Sequence, residues 1–155
     1  MNKPSFPVAP FEPTSPPYDV DAFGWSMAQA RLIRERRLDE IDWDNVAEEI
    51  ESVGKSEQRA IESNLRIVLV HHLKWAFQPF YRSRSWANSI AEHLRRFDRS
   101  IDENPSLKPK LAAIMDEAYT QARFEAARET GLAVESFPDA PPSWEELRAP
   151  RNFDI

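Results

Sequence analysis

Two adjacent histidines and a nearby arginine are the side chains of this sequence that could do chemistry. His71 and His72 follow Arg66 at short spacing, in a stretch (residues 67–79) that is apolar on nearly every helical face. Histidine can transfer protons near neutral pH, and arginine can stabilise the charge that develops on a phosphate during cleavage. If the protein is an enzyme, Arg66 with His71 or His72 forms its predicted catalytic site, and metal-independent RNA cleavage is the predicted reaction.

The spacing of these residues resembles the ribonuclease motif of the bacterial "higher eukaryotes and prokaryotes nucleotide-binding" superfamily, whose members are all-helical and often dimeric. Helical phasing opposes a shared site, because on a regular helix Arg66 lies about 140° from His71 and about 120° from His72. A common site would need a bend or a second subunit. The two histidines also lie on different faces, since His72 has the core spacing of Leu65 and Leu69 whereas His71 points about 100° away.

Glu49, His72 and His93 are predicted to be structural polar groups in or beside the core, where they would find hydrogen-bond partners. Inward histidines and carboxylates can form a metal site in a helical bundle, but the Glu-x-x-His spacing of carboxylate-bridged dimetal bundles is absent. The sequence therefore predicts no metal site and no cofactor. It contains no cysteine, which excludes a thiol nucleophile and a thiolate metal site.

Length and charge limit the classes of function further. The chain has 155 residues and a formal net charge of -6, which fits one domain and opposes non-specific binding to nucleic acid. No apolar run approaches the roughly 20 residues that span a bilayer, and the first residues do not resemble a secretion signal. We therefore expect a cytoplasmic protein without a membrane contact, and the absence of cysteine suits that compartment.

Apolar residues recur at helical spacing and β-branched alternation is almost missing, which predicts an all-α four-helix bundle. Helices are expected over about residues 20–37, 43–78, 84–103 and 106–130, with a short turn at about 143–148. The first two helices present these apolar residues for packing: Phe23, Trp25, Met27, Ala30, Leu32 and Ile33, then Trp43, Val46, Ala47, Ile50 and Val53. Gly54 leaves both a kinked and a continuous second helix open.

The two ends of the chain differ from this helical pattern. Residues 1–17 are predicted to form an extended arm, because prolines recur there at the three-residue period of polyproline II. The arm could pack on its own bundle, on a second subunit or in an aromatic groove of a partner. A single helical-bundle domain is expected over residues 18–150, and its C-terminal tail, too apolar for a free linker, is expected to cap one end of the bundle.

Several short motifs, in a fixed order, resemble the bacterial family called domain of unknown function 29. They are Leu38 with Ile41-Asp42-Trp43, Glu48-Glu49-Ile50-Glu51, His72-Leu73-Lys74-Trp75 with Gln78-Pro79, Ser85-Trp86, Asn104-Pro105-Ser106-Leu107, Tyr119 with Ala122, Phe137-Pro138, and Trp144. The resemblance covers about residues 18–144 and implies an all-α bundle of about four helices with no assigned activity. Members often carry Gln-Arg where this chain has His93-Leu94, and the proline-rich arm lies outside the resemblance.

These observations predict a non-catalytic protein-interaction module that binds a protein partner or associates with itself, for example as a homodimer. The alternative is the metal-independent ribonuclease of the helical-bundle type described above.

Overall fold

The computed structural model describes residues 15–151 and places them in helices joined by short turns. The α-helices are α1 (Ala22–Arg34), α2 (Trp43–Phe77), α3 (Arg84–Glu103), α4 (Leu111–Thr130) and α5 (Trp144–Arg148). No strand occurs within residues 15–151, and the predicted all-α bundle is confirmed. In this part of the chain, no helix combines the length and the apolar character that crossing a membrane requires.

The chain divides into two compact units, the first ending at Val53 and the second beginning at Gly54. α2 is nevertheless one helix from Trp43 to Phe77, so the structure has the continuous helix of the two possibilities left open at Gly54. Residues 1–14 of the predicted arm lie outside the described residues. The single domain expected over residues 18–150 stays a prediction.

In the first unit, α1 is limited by a cap at one end and by backbone geometry at the other. It begins after Asp21, whose carboxylate accepts a hydrogen bond of 2.8 Å from the backbone N–H of Gly24. It ends at Arg34, before the expected end at about residue 37. The reason is that Arg36 has a φ of 58°, in the left-handed region that does not continue an α-helix.

The core of the first unit is small and joins α1 to the start of α2. Trp25, Gln29, Leu32 and Ile41 are buried. The side-chain oxygen of Gln29 accepts a hydrogen bond from the backbone N–H of Asp42 at 2.9 Å, and Trp25 Nε1 donates to Asp42 Oδ2 at 3.1 Å. These bonds satisfy the polar groups buried with Trp25 and Leu32.

In the second unit, α2, α3 and α4 share one hydrophobic core. Its buried members are Ile61, Leu65, Val68, Leu69, Val70 and Leu73 of α2, Ile90, Leu94, Phe97 and Ile101 of α3, and Ile114, Met115, Ala118, Tyr119, Ala122 and Ala126 of α4, together with Phe137 and Leu147. The alanines of α4 are small, which lets neighbouring helices approach closely.

The fourth helix begins later than the expected residue 106. Pro105–Lys110 form 3-10 turns and the α-helix starts at Leu111. Pro109 lies in these turns and has no backbone N–H to donate to an α-helical hydrogen bond. α4 then ends at Thr130, and the next residue, Gly131, caps it with a left-handed φ of 75° that is favourable for glycine.

The C-terminal tail packs on the core of the second unit, as predicted. The Phe137 ring is 5.2 Å from the Phe77 ring, and the Trp144 ring is 5.2 Å from the Phe97 ring. Tyr119 Oη donates a 2.8 Å hydrogen bond to the backbone oxygen of Pro138. The tail thereby brings α5 and the residues after it close to His72 of α2.

Candidate functional site

His72, a predicted catalytic or core residue, contacts the end of the described chain. Its Nδ1 lies 3.0 Å from Nη2 of Arg151. A guanidinium can only donate, so Nδ1 accepts and the proton of the neutral ring is on Nε2. Burial, together with the positive charge of Arg151, lowers the pKa of His72 to about 4. At neutral pH the ring is therefore uncharged, with one lone pair already in use, and it is a weak general base.

Arg151 is held in place by acceptors on the tail as well as by His72. Its Nη1 donates to the backbone oxygens of Leu147 at 3.0 Å and Ala149 at 3.1 Å. Its Nε is buried and finds no acceptor among the described residues. Burial of the guanidinium lowers the pKa of Arg151, and a cavity of about 520 Å³ lies between α3 and residues 147–151. Sequence reasoning missed this residue because nothing in the local pattern links positions so far apart.

A second cavity of about 260 Å³ adjoins His72, with Tyr119, Glu146 and prolines of the tail among its other lining residues. Its volume is below the range usual for small-molecule sites, roughly 300 to 1,000 Å³. The Glu146 carboxylate accepts a 2.6 Å hydrogen bond from the backbone N–H of Ser143 in the capping box of α5. That bond lowers the pKa of Glu146. Glu146 and His72 are thus both engaged in holding the tail.

Arg66, the predicted phosphate-stabilising residue, forms an ion pair with Glu125 of α4. Two turns further along α2, Lys74 Nζ lies 2.6 Å from Glu129 Oε2. The Lys74 ammonium is also 4.7 Å from the centre of the Trp86 ring of α3. The cations on this side of α2 therefore have partners inside the protein.

His71 is half-buried, and its Nδ1 is a buried atom with no hydrogen-bond partner among residues 15–151. Burial lowers its pKa, and the charge of Lys74 adds to the effect. Within the described part of the chain, no hydrogen bond joins Arg66 to His71 or His72. The structure therefore gives the three predicted catalytic residues different surroundings and does not join them into one site.

The remaining predicted polar residues have structural partners. His93 Nδ1 is 2.8 Å from Asn64 Oδ1, and burial lowers the pKa of His93. Glu49 lies at an exposed position of α2, where its carboxylate accepts a hydrogen bond from Tyr18 Oη in the first unit. Among the described residues, no group of three or more metal-ligating side chains is close enough to hold an ion.

The most unusual surface is on the first part of α2. Trp43, Val46, Ala47, Ile50 and Val53, which we call the α2 stripe, fall within about 120° of the helix circumference. Trp43 is 54% exposed, Ile50 68% and Val53 66%. Next to the stripe, a Cβ added to Gly54 would meet no atom of the described chain within 4 Å. The sequence predicted these residues as an apolar face, and within residues 15–151 most of that face is exposed.

α1 carries a second exposed apolar surface. Phe23, Met27 and Ala30, which we call the α1 stripe, lie on the side of the helix opposite to the buried Trp25 and Leu32. Phe23 is 77% exposed and Met27 is 56% exposed. The six apolar residues that the sequence analysis named in this helix were expected to pack, but the small core of the first unit uses only one face.

Comparison with known proteins gives a family but no characterised relative. The model of a family described as "Domain of unknown function DUF29" matches residues 17–150. The comparisons with curated proteins and with solved structures find no match.

Proposed function

The chain belongs to the family described as domain of unknown function DUF29, which names no activity, and we propose that it serves as a non-catalytic protein-interaction module. The observation that carries the proposal is the exposed α2 stripe. Exposed apolar residues are ordinary when they are scattered singly, but a contiguous patch is typical of an interaction site. The stripe has the spacing with which one amphipathic helix packs against another.

The energetics of a helix in water also support this proposal. Helices in proteins gain most of their stability from packing of an apolar face rather than from intrinsic propensity. Residues 43–60 of α2 include no buried side chain. A protein that covers the stripe would remove apolar surface from water at about 25 cal/mol per Å² and would stabilise this part of the helix.

RNA cleavage by Arg66 with His71 or His72 has less support. The proposed phosphate ligand, Arg66, is paired with Glu125. The pKa of His72 is about 4, far from the neutral value that suits general acid–base catalysis. We therefore assign Arg66, His72 and His93 structural roles, and we propose the cytoplasm as the compartment because a chain without cysteine suits it.

Site-specific photocrosslinking in living cells tests the proposal. A benzophenone amino acid replaces Ile50 in one variant and Glu48 in the control, because Glu48 is exposed but lies about 160° away around α2. We expect a covalent adduct with a protein at position 50 and little at position 48. Equal adducts at both positions, or none at either, would contradict an interaction through the α2 stripe.

A further inference from the structure

One line of residues along each helix, made of stripe residues and the next residue on the same line, has the same spacing in α1 and in α2. Along α1, Phe23, Met27, Ala30 and Arg34 follow one another at steps of four, three and four residues. Along α2, the same steps join Trp43, Ala47, Ile50 and Gly54. Both sets run along one line of their helix, so the two lines can lie against each other over about three turns. Ala30, Ala47 and Gly54 are small enough to let the helices approach closely.

The charges around the two stripes have opposite sign. α1 contains Arg31 and Arg34 and no acidic residue between Ala22 and its end. The stretch of α2 from residue 43 to 53 contains Asp44, Glu48, Glu49 and Glu51 and no lysine or arginine. Two α2 stripes facing each other would bring like charges together, whereas an α1 stripe facing an α2 stripe brings opposite charges together.

We infer that the occupant of the α2 stripe is the α1 stripe of a second copy of this chain. This inference rests on the proposed function and adds the identity of the partner. The acidic start of α2 attracts the basic end of α1, so the helices run antiparallel, which also suits their dipoles. In that direction Met27 of one copy lies opposite Ile50 of the second copy, and Arg34 lies over Trp43, where a cation–π contact forms.

This contact joins two different surfaces, so it is heterologous, and copies add head to tail until the assembly closes. The geometry makes a specific prediction about mixtures. A Met27→Glu chain keeps an intact α2 stripe, and an Ile50→Glu chain keeps an intact α1 stripe. Neither variant alone has both intact stripes, so neither can associate with itself. In a mixture, the α2 stripe of the Met27→Glu chain can bind the α1 stripe of the Ile50→Glu chain, which gives one contact for each pair of chains.

Light scattering after size exclusion tests the inference on the purified full-length chain. We expect wild type to exceed the monomer mass of 18.0 kDa, each variant alone to have that mass, and an equimolar mixture to double it. Arg34→Glu places a negative charge beside the acidic start of α2 in the second copy. It should weaken association by about tenfold, which corresponds to about 1.4 kcal/mol. Met27 and Ile50 are exposed, so both variants should keep their helical circular dichroism.

A second measurement does not depend on disrupting the contact. The chain has no cysteine, so a Met27→Cys chain mixed with a differently tagged Ile50→Cys chain should form a mixed disulfide when dissolved oxygen oxidises the two thiols. Met27→Cys mixed with Glu48→Cys should not. Wild type that stays monomeric, or mixed variants that stay monomeric while wild type associates, would overturn the inference. If wild type is monomeric but the photocrosslinker at position 50 captures a different protein, the proposed function stands and only the identity of the partner is wrong.

Discussion

Residues 43–53 and residues 61–73 of α2 repeat apolar side chains at the same helical spacing, yet their surroundings are opposite. In the later segment, Ile61, Leu65 and Leu69 are fully buried in the core of the second unit. In the earlier one, Ile50 and Val53 are about two-thirds exposed. One continuous helix thus carries both a core face and an open face of similar composition.

This difference separates two consequences of amphipathicity. The helical period of apolar residues predicts which residues share a face. Whether that face is buried depends on which other segments pack against it. α3 and α4 supply side chains to the later segment of α2. In our proposal, by contrast, the α2 stripe is covered by a second protein chain. The acidic residues beside the stripe favour a partner surface with positive charge.

The largest expected effect is on the stability of the covered segment. Leu65→Ala should lower the free energy of unfolding by roughly 3.5 kcal/mol, because it removes a fully buried side chain and leaves a cavity. Ile50→Ala, the matched truncation in the exposed segment, should change it by at most about 0.5 kcal/mol. Urea unfolding of dilute protein measures both. Comparable losses in the two variants would show that the chain itself covers the α2 stripe.

The next effect is on the pH dependence of the free energy of unfolding. It tests how completely the tail buries His72 in the later part of α2. The folded pKa of His72, about 4, is below its ordinary value of 6.5, so the unfolded state binds the proton first as pH falls. The stability linked to this group is fully present above pH 6.5 and is lost towards pH 4. At about 1.4 kcal/mol per pKa unit, the loss is about 3 kcal/mol.

His72→Gln keeps an acceptor for Arg151 and removes the titration. Between pH 7 and pH 4 the free energy of unfolding should therefore fall less in this variant than in wild type. The difference between the two falls should be about 3 kcal/mol. His93→Gln is the matched control, and its effect should be smaller because His93 is less enclosed. A His72→Gln protein as acid-sensitive as wild type would mean that the imidazole is not kept neutral by burial.

Much of the second unit follows from the sequence. Trp86, Ile90, Leu94, Phe97 and Ile101 recur at helical spacing in the third predicted helix. The last four are buried and Trp86 is half-buried. Proline and glycine mark real boundaries, since α2 ends at Phe77 before Pro79 and α4 ends at Thr130 before Gly131. These features are local, so a single sequence contains the information that determines them.

The parts that sequence reasoning missed depend on long-range packing. The partner of His72 is Arg151, and the partner of Arg66 is Glu125, and neither pair has a local signal. The exposure of Phe23 and Met27 was missed for the same reason. The spacing of apolar residues is the same whether they pack within the chain or against another protein. The acidic residues that alternate with the α2 stripe were the one local indication that this segment is exposed.

Hydrogen exchange along α2, measured at low and at high protein concentration, tests the central claim most directly. We predict strong protection of amides in residues 61–73 at both concentrations. Residues 43–53 should exchange fast in dilute protein, because a helix without packing frays, and should become protected together with residues 22–34 when the protein is concentrated. Equal protection of the two segments of α2 in dilute protein would contradict the account, because it would mean that the α2 stripe is already covered by its own chain.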